Sequence, residues 1–344
     1  MQVHSRYVPP PHQPELDPRF RVPVRLLFYC AIGFALYLFI PVLLKPVFGL
    51  VIAATIGLFG VAFITNVLTI RVFDRRPISD IGLGPHGAGR NFAIGIVCGG
   101  GSAALMLLAP MLAGAGHLVP RTPSAFAWPN LLFYLVALLF GAVGEEVLFR
   151  GYAFQVLIEK IGPYATVLPV AVFFGFGHAG NPNATNLSIF NTMLWGALLG
   201  FAFLRSHDLW LPIGLHYSWN AVLPLFGVNL SGLTIEVTGY SYKWDLGPLW
   251  SGGDYGPEAS TVTAVVLLIG IFVVYRTTRE LAYLHTQPVI LPAGIPVDLD
   301  AMSQTFAPHH PVAPQPAPAG STLVQIESAP GSPQSRTQPQ EPPE

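Results

Sequence analysis

Charge is scarce in this sequence. Of 344 residues only 10% are Asp, Glu, Lys or Arg and 52% are hydrophobic, against roughly a quarter charged in an average soluble domain. The mean hydropathy is +0.53. So little polar material cannot clothe a globule in water. An excess of one sign is missing too: 17 basic and 18 acidic residues leave a net charge of −1, without the cationic footprint that binds nucleic acid by releasing counterions. A nucleic-acid partner is excluded on that ground. Cysteine is nearly absent, and Cys30 and Cys98 both lie in apolar runs, which leaves neither a disulfide framework nor a cysteine zinc site. No internal repeat suggests the inverted halves of many transporters.

What is abundant is long hydrophobic runs. A span needs about 20 mostly apolar residues to cross roughly 30 Å of hydrocarbon, and such runs occur near 26–44, 47–70, 92–114, 130–158, 163–179, 188–205, 209–226 and 259–275. The expected fold class is therefore all-α, a polytopic membrane helix bundle of about eight transmembrane helices. Lys and Arg favour the cytoplasmic loops. An N-inside arrangement places 13 of the 17 there, leaves Lys45, Arg121 and Lys243 outside, and puts Arg150 within a span, so both termini are expected in the cytoplasm. Residues 1–25 read as a flexible cytoplasmic arm and 26–285 as the membrane domain. Residues 286–344 read as a Pro-rich disordered tail, with ten prolines after Ala301 and little that could form a core. The outside segment 229–258 carries Tyr240, Tyr242, Trp244, Trp250 and Tyr255, and interfacial anchoring is the simpler reading of them; a lid over a site is the other.

Ionisable groups inside a span cost several kcal/mol and mark function by default. They are concentrated in one half of the chain. Residues 141–151 read GAVGEEVLFRG, which sets Glu145, Glu146 and Arg150 in an apolar stretch. Glu146 and Arg150 are four apart and share a helix face, whereas Glu145 points about 100° away; one carboxylate is neutralised while its neighbour stays free. The next span ends FFGFGHAG, with Phe174 and His178 four apart, and the seventh contains LHYSWN, with His216 and Asn220 four apart. If the chain turns at Lys160 to Pro163, Glu145 and His178 both rise about 24 Å from it. Their depths match. Taken singly, an intramembrane His or Asn is more often a helix-to-helix hydrogen bond than a catalyst; with His216 and Asn220 about 14 and 20 Å up the seventh helix, four polar groups converge in the middle to outer membrane and weaken that reading. The other histidines fall in loops or tails and read as solvated.

These residues resemble the CPBP intramembrane proteases, the family of CAAX proteases and bacteriocin-processing enzymes also called Abi. Glu145, Glu146 and Arg150 stand as EExxxR, Phe174 and His178 as FxxxH, and His216 and Asn220 as HxxxN, in that order. The resemblance covers about residues 130–226. It implies a glutamate-dependent endopeptidase acting on a membrane-associated or prenylated, CAAX-type protein or peptide. In that reading Glu145 and His178 activate water and His216 and Asn220 stabilise the oxyanion. Glu146, Arg150 and Phe174 support them.

The chemistry of the residues is compatible. Burial raises the pKa of a carboxylate and a nearby cation lowers it, so Glu145 is open to tuning as a general base, and N–H donors aimed at a developing oxyanion supply large catalytic terms. A carboxylate and two histidines also make a zinc set. That reading is disfavoured, because HExxH is missing and Asn is a poor zinc ligand; no cofactor and no metal is expected. A transporter or proton relay would also place Glu, Arg and His at mid-membrane, and a non-catalytic membrane scaffold is the third alternative. The expected partners are the lipid bilayer and a membrane-embedded or lipidated peptide, and the expected location is a bacterial inner membrane.

Overall fold

A computed structural model describes residues 18–121 and 127–277. Residues 1–17 of the expected arm and the Pro-rich tail lie outside the described residues, whereas residues 18–25, expected as part of that flexible arm, are helical and open α1. Among the described residues there are ten α-helices: α1 Pro18–Ile52, α2 Leu58–Phe73, α3 Ala88–Leu112, α4 Trp128–Arg150, α5 Tyr152–Ile161, α6 Pro163–Gly177, α7 Asn186–Ser206, α8 Trp210–Leu225, α9 Pro248–Ser251 and α10 Thr261–Thr277. Four apolar stretches are long enough to cross a bilayer: Arg21–Phe73, Ala88–Leu112, Trp128–Ile161 and Asn186–Ser206. Two shorter apolar helices lie at Pro163–Gly177 and Thr261–Val274. Their outward faces are bare hydrocarbon: Leu27 is 72% exposed, Val97 71% and Phe173 70%. Apolar surface on that scale calls for lipid rather than water.

The 53-residue stretch Arg21–Phe73 is about 80 Å of helix at 1.5 Å per residue, far longer than one crossing. It folds back at Gly49, whose φ of 82° is open to glycine and strained for any residue with a Cβ. Contacts across the reversal run antiparallel. Arg25 pairs with Asp74 at 2.8 Å, the Asn66 amide donates to the Tyr29 hydroxyl at 3.1 Å, and Pro41 abuts Gly57. A π-helical turn, Ala53–Gly57, joins the return arm to α2, a distortion found most often at functional sites.

The run expected as a single span at 130–158 is broken. Helix α4 ends at Arg150, Gly151 turns the chain (φ −73°, ψ −136°), and α5 continues in a new direction. Asn66 holds the break, its amide donating to the Val147 carbonyl at 3.0 Å and its oxygen accepting the Tyr152 N–H at 2.8 Å. A Cβ at Gly151 would lie 2.4 Å from that oxygen. A second turn at Gly162 (φ 88°) reverses the chain into α6, where the sequence places it.

Helices α3 and α8 pack closest, through Gly95 and Gly99 of α3 against the α8 backbone around Leu211, Gly214 and Leu215. Small residues let two backbones touch, which is how helices associate where lipid offers no hydrophobic drive. The fold is not purely helical. β1, Gly116–Pro120, pairs antiparallel with β2, Tyr240–Trp244. The aromatic segment is therefore partly sheet rather than free anchors: Tyr242 is buried and its hydroxyl donates to the Leu107 carbonyl at 2.8 Å.

Candidate active site

Each of the three motifs sits near an element end or on a buried helix face, and the helices bring them together. Glu145 and Glu146 lie on the last turns of α4, His178 immediately follows α6, and His216 and Asn220 share a face of α8. Nε2 of His178 lies 3.7 Å and Nε2 of His216 3.8 Å from Oε2 of Glu145. Oε2 of Glu145 makes no hydrogen bond among the described residues. All three groups, with Asn220, line one cavity of about 560 Å³.

The surroundings fix both imidazoles. The Phe174 carbonyl lies 2.8 Å from His178 Nδ1; a carbonyl only accepts, so Nδ1 carries a proton and Nε2 is the nitrogen that faces Glu145. For His216 the acceptor is Oε1 of Glu146, at 2.9 Å from Nδ1. The same oxygen accepts from Arg150 Nη1 at 3.2 Å, while Arg150 Nη2 donates to the Gly196 carbonyl at 2.9 Å. Glu146 and Arg150 are fully buried. The pair read from the sequence as one neutralised carboxylate on a shared helix face thus also orients a histidine through Nδ1. Phe174 joins the set in two ways: its carbonyl orients His178, and its ring lies under the Arg150 guanidinium at 4.7 Å and edge-on to His216 at 6.2 Å. A ring face toward a desolvated guanidinium is a favourable cation–π contact.

Two further features of the cavity are not evident from the motifs. One is Glu258, on the turn Pro257–Ala259 before α10, which is buried and lines the same cavity as Glu145. It stands 38 residues beyond Asn220 in a loop of the sequence, where its only visible signal is an acid placed just ahead of an apolar run. The other is the opening. Tyr37, Val42 and Lys45 of α1 line the cavity, and Tyr37 and Val42 are largely exposed, so the cavity reaches the outer face of the bundle along α1. Among the described residues no group of three His, Cys, Asp or Glu is arranged to hold a metal ion.

A membrane-type helical chain with a carboxylate–imidazole site at the end of a buried helix is the class that fold and site define. Within it, residues 126–222 match the family described as type II CAAX prenyl endopeptidase, Rce1-like, in agreement with the CPBP resemblance; the matched segment, less than a third of the chain, holds all seven motif residues. It is a family of peptidases. Neither a curated protein nor a solved structure matches the chain.

Proposed function

We propose that this protein is an intramembrane endopeptidase of the CAAX type. The convergence of Glu145, His178 and His216 in a cavity that opens along a lipid-facing helix carries the reading. Glu145, with His178, takes a proton from water as the oxygen attacks the scissile carbonyl. A C–O bond forms and the carbonyl oxygen becomes an oxyanion. His216, protonated and held through Nδ1 by Glu146, and the Asn220 amide donate to that oxyanion. Collapse of the tetrahedral intermediate breaks the C–N bond, and the proton held by Glu145 and His178 passes to the leaving nitrogen.

The substrate in this reading is a peptide joined to a lipid or an apolar helix, which approaches from the bilayer past Tyr37 and Val42. The chain crosses the membrane about eight times with both ends in the cytoplasm, the reversal at Gly49 counting as two crossings. Incubating the full chain in lipid vesicles with a farnesylated peptide tests the assignment. Wild type releases a C-terminal fragment and Glu145→Gln does not; equal release by both contradicts it.

A further inference from the structure

Glu258 is a cavity-lining carboxylate that the mechanism above leaves unused. Its surroundings hold it rigidly. Oε2 accepts from the Ser231 N–H at 2.6 Å and its hydroxyl at 2.9 Å, and Oε1 accepts from the Trp219 indole at 3.3 Å. The Glu258 main-chain carbonyl accepts from the Asn191 amide at 2.8 Å, which ties the turn to α7. The side chain is only 7% exposed.

Every one of those donors is neutral. Among the described residues no lysine or arginine forms an ion pair with Glu258; the one titratable base that acts on it is the His178 imidazole. A buried carboxylate without a counter-cation is expensive, and neutral dipoles offset only part of the cost. The second carboxylate in the cavity, Glu145, has the His178 and His216 imidazoles at 3.7 and 3.8 Å, with the Arg150 guanidinium acting on it from farther off. The one Lys or Arg in the lining is Lys45, exposed on α1. At Glu258 itself a cationic occupant gains electrostatically and an acidic one is repelled.

We propose that Glu258 is a specificity-determining residue that receives the N–H of a basic side chain, lysine or arginine, set beside the scissile bond of the peptide substrate. The inference rests on the peptidase reading. Burial holds the Glu258 carboxyl above its ordinary range, against the pull of the Ser231 donors, and a cation beside a carboxylate favours its charged form. A free α-ammonium presents the same chemistry, so the test separates the two sources.

The experiment measures binding to the full chain in detergent micelles, read as thermal stabilisation at increasing peptide concentration. Three hexapeptides are compared: two acetylated and amidated, identical except for lysine or norleucine at one central position, and a third with norleucine and a free N-terminus. The lysine peptide is expected to bind wild type and Glu145→Gln at least tenfold more tightly than its norleucine twin. Glu258→Gln is expected to bind the two alike. Equal affinities for wild type, including no binding of either, overturn the inference, and that comparison does not depend on the variant folding. Tight binding confined to the free N-terminus overturns it in favour of an ammonium site. Cleavage is scored separately: a lysine preference without cleavage tells against the peptidase reading and leaves the Glu258 assignment standing.

Discussion

Glu145 and Glu146 are neighbours in sequence with opposite surroundings, and mutation should separate them. Glu146 accepts from both Arg150 and His216 while fully buried. Glu146→Ala leaves a buried guanidinium alone, a change that costs about 3–5 kcal/mol in other proteins, and the amount of folded chain in the membrane should drop. Glu145→Ala removes a side chain that hydrogen-bonds nothing through Oε2; it should abolish cleavage at unchanged abundance. Equal loss of folded protein in both variants contradicts the division. Glu258 adds a pH dependence. Burial raises its carboxyl above the ordinary 4.5, so the folded chain binds this proton more tightly than the unfolded one, and the stability it contributes is complete below about pH 4 and is lost as pH rises through the folded value. Thermal unfolding across pH should show the wild-type advantage over Glu258→Gln shrinking as pH climbs; a constant or growing advantage contradicts this. At this scale the sequence was legible where spacing encodes a shared helix face, as in Glu146 with Arg150 or His216 with Asn220. The link from Glu146 to His216 spans 70 residues, and Glu258 meets Ser231 and Trp219 through tertiary packing; neither leaves a local pattern.

Among the elements, α3 and α8 are the most demanding contact, and α8 carries His216. A Cβ at Gly99 would lie 2.2 Å from the Leu215 carbonyl, whereas one at Gly101 meets nothing within 4 Å. Gly99→Ala should force α8 away from α3, destabilising the chain by about 1–3 kcal/mol and cutting cleavage, because Leu215 adjoins His216. Gly101→Ala should change neither. Comparable unfolding temperatures and rates for the two variants would contradict this account of the packing. Element positions followed from apolar runs and punctuation: glycines at 49 and 162 mark reversals near the expected ends. Two features escaped. The break at Gly151 falls inside a stretch that reads as a single span, and what holds it is Asn66, on a different helix. The strand Tyr240–Trp244 pairs with residues more than a hundred positions earlier, so its alternating aromatics read as interfacial anchors.

For the whole molecule, apolar outer helix faces suit a bilayer, and one largely apolar cavity holds the two carboxylates Glu145 and Glu258 and opens along α1. The account uses no metal. Exhaustive chelation of the purified chain should leave cleavage unchanged, and loss of activity restored by a divalent cation would replace the water-activating pair with a metal centre. The helical, membrane-type class and the convergence of Glu145, His178 and His216 were visible in the sequence because lipid forbids unpaired charge, so each intramembrane ionisable residue stands out. The cavity and its opening depend on how α1 lies against α4 and were not. The most direct test compares new peptide N-termini in membranes from cells carrying the wild-type chain and cells carrying Glu145→Ala at matched expression. Termini that disappear with Glu145 are the predicted result and define the substrates; identical termini in both membranes across growth conditions would contradict proteolysis as the function.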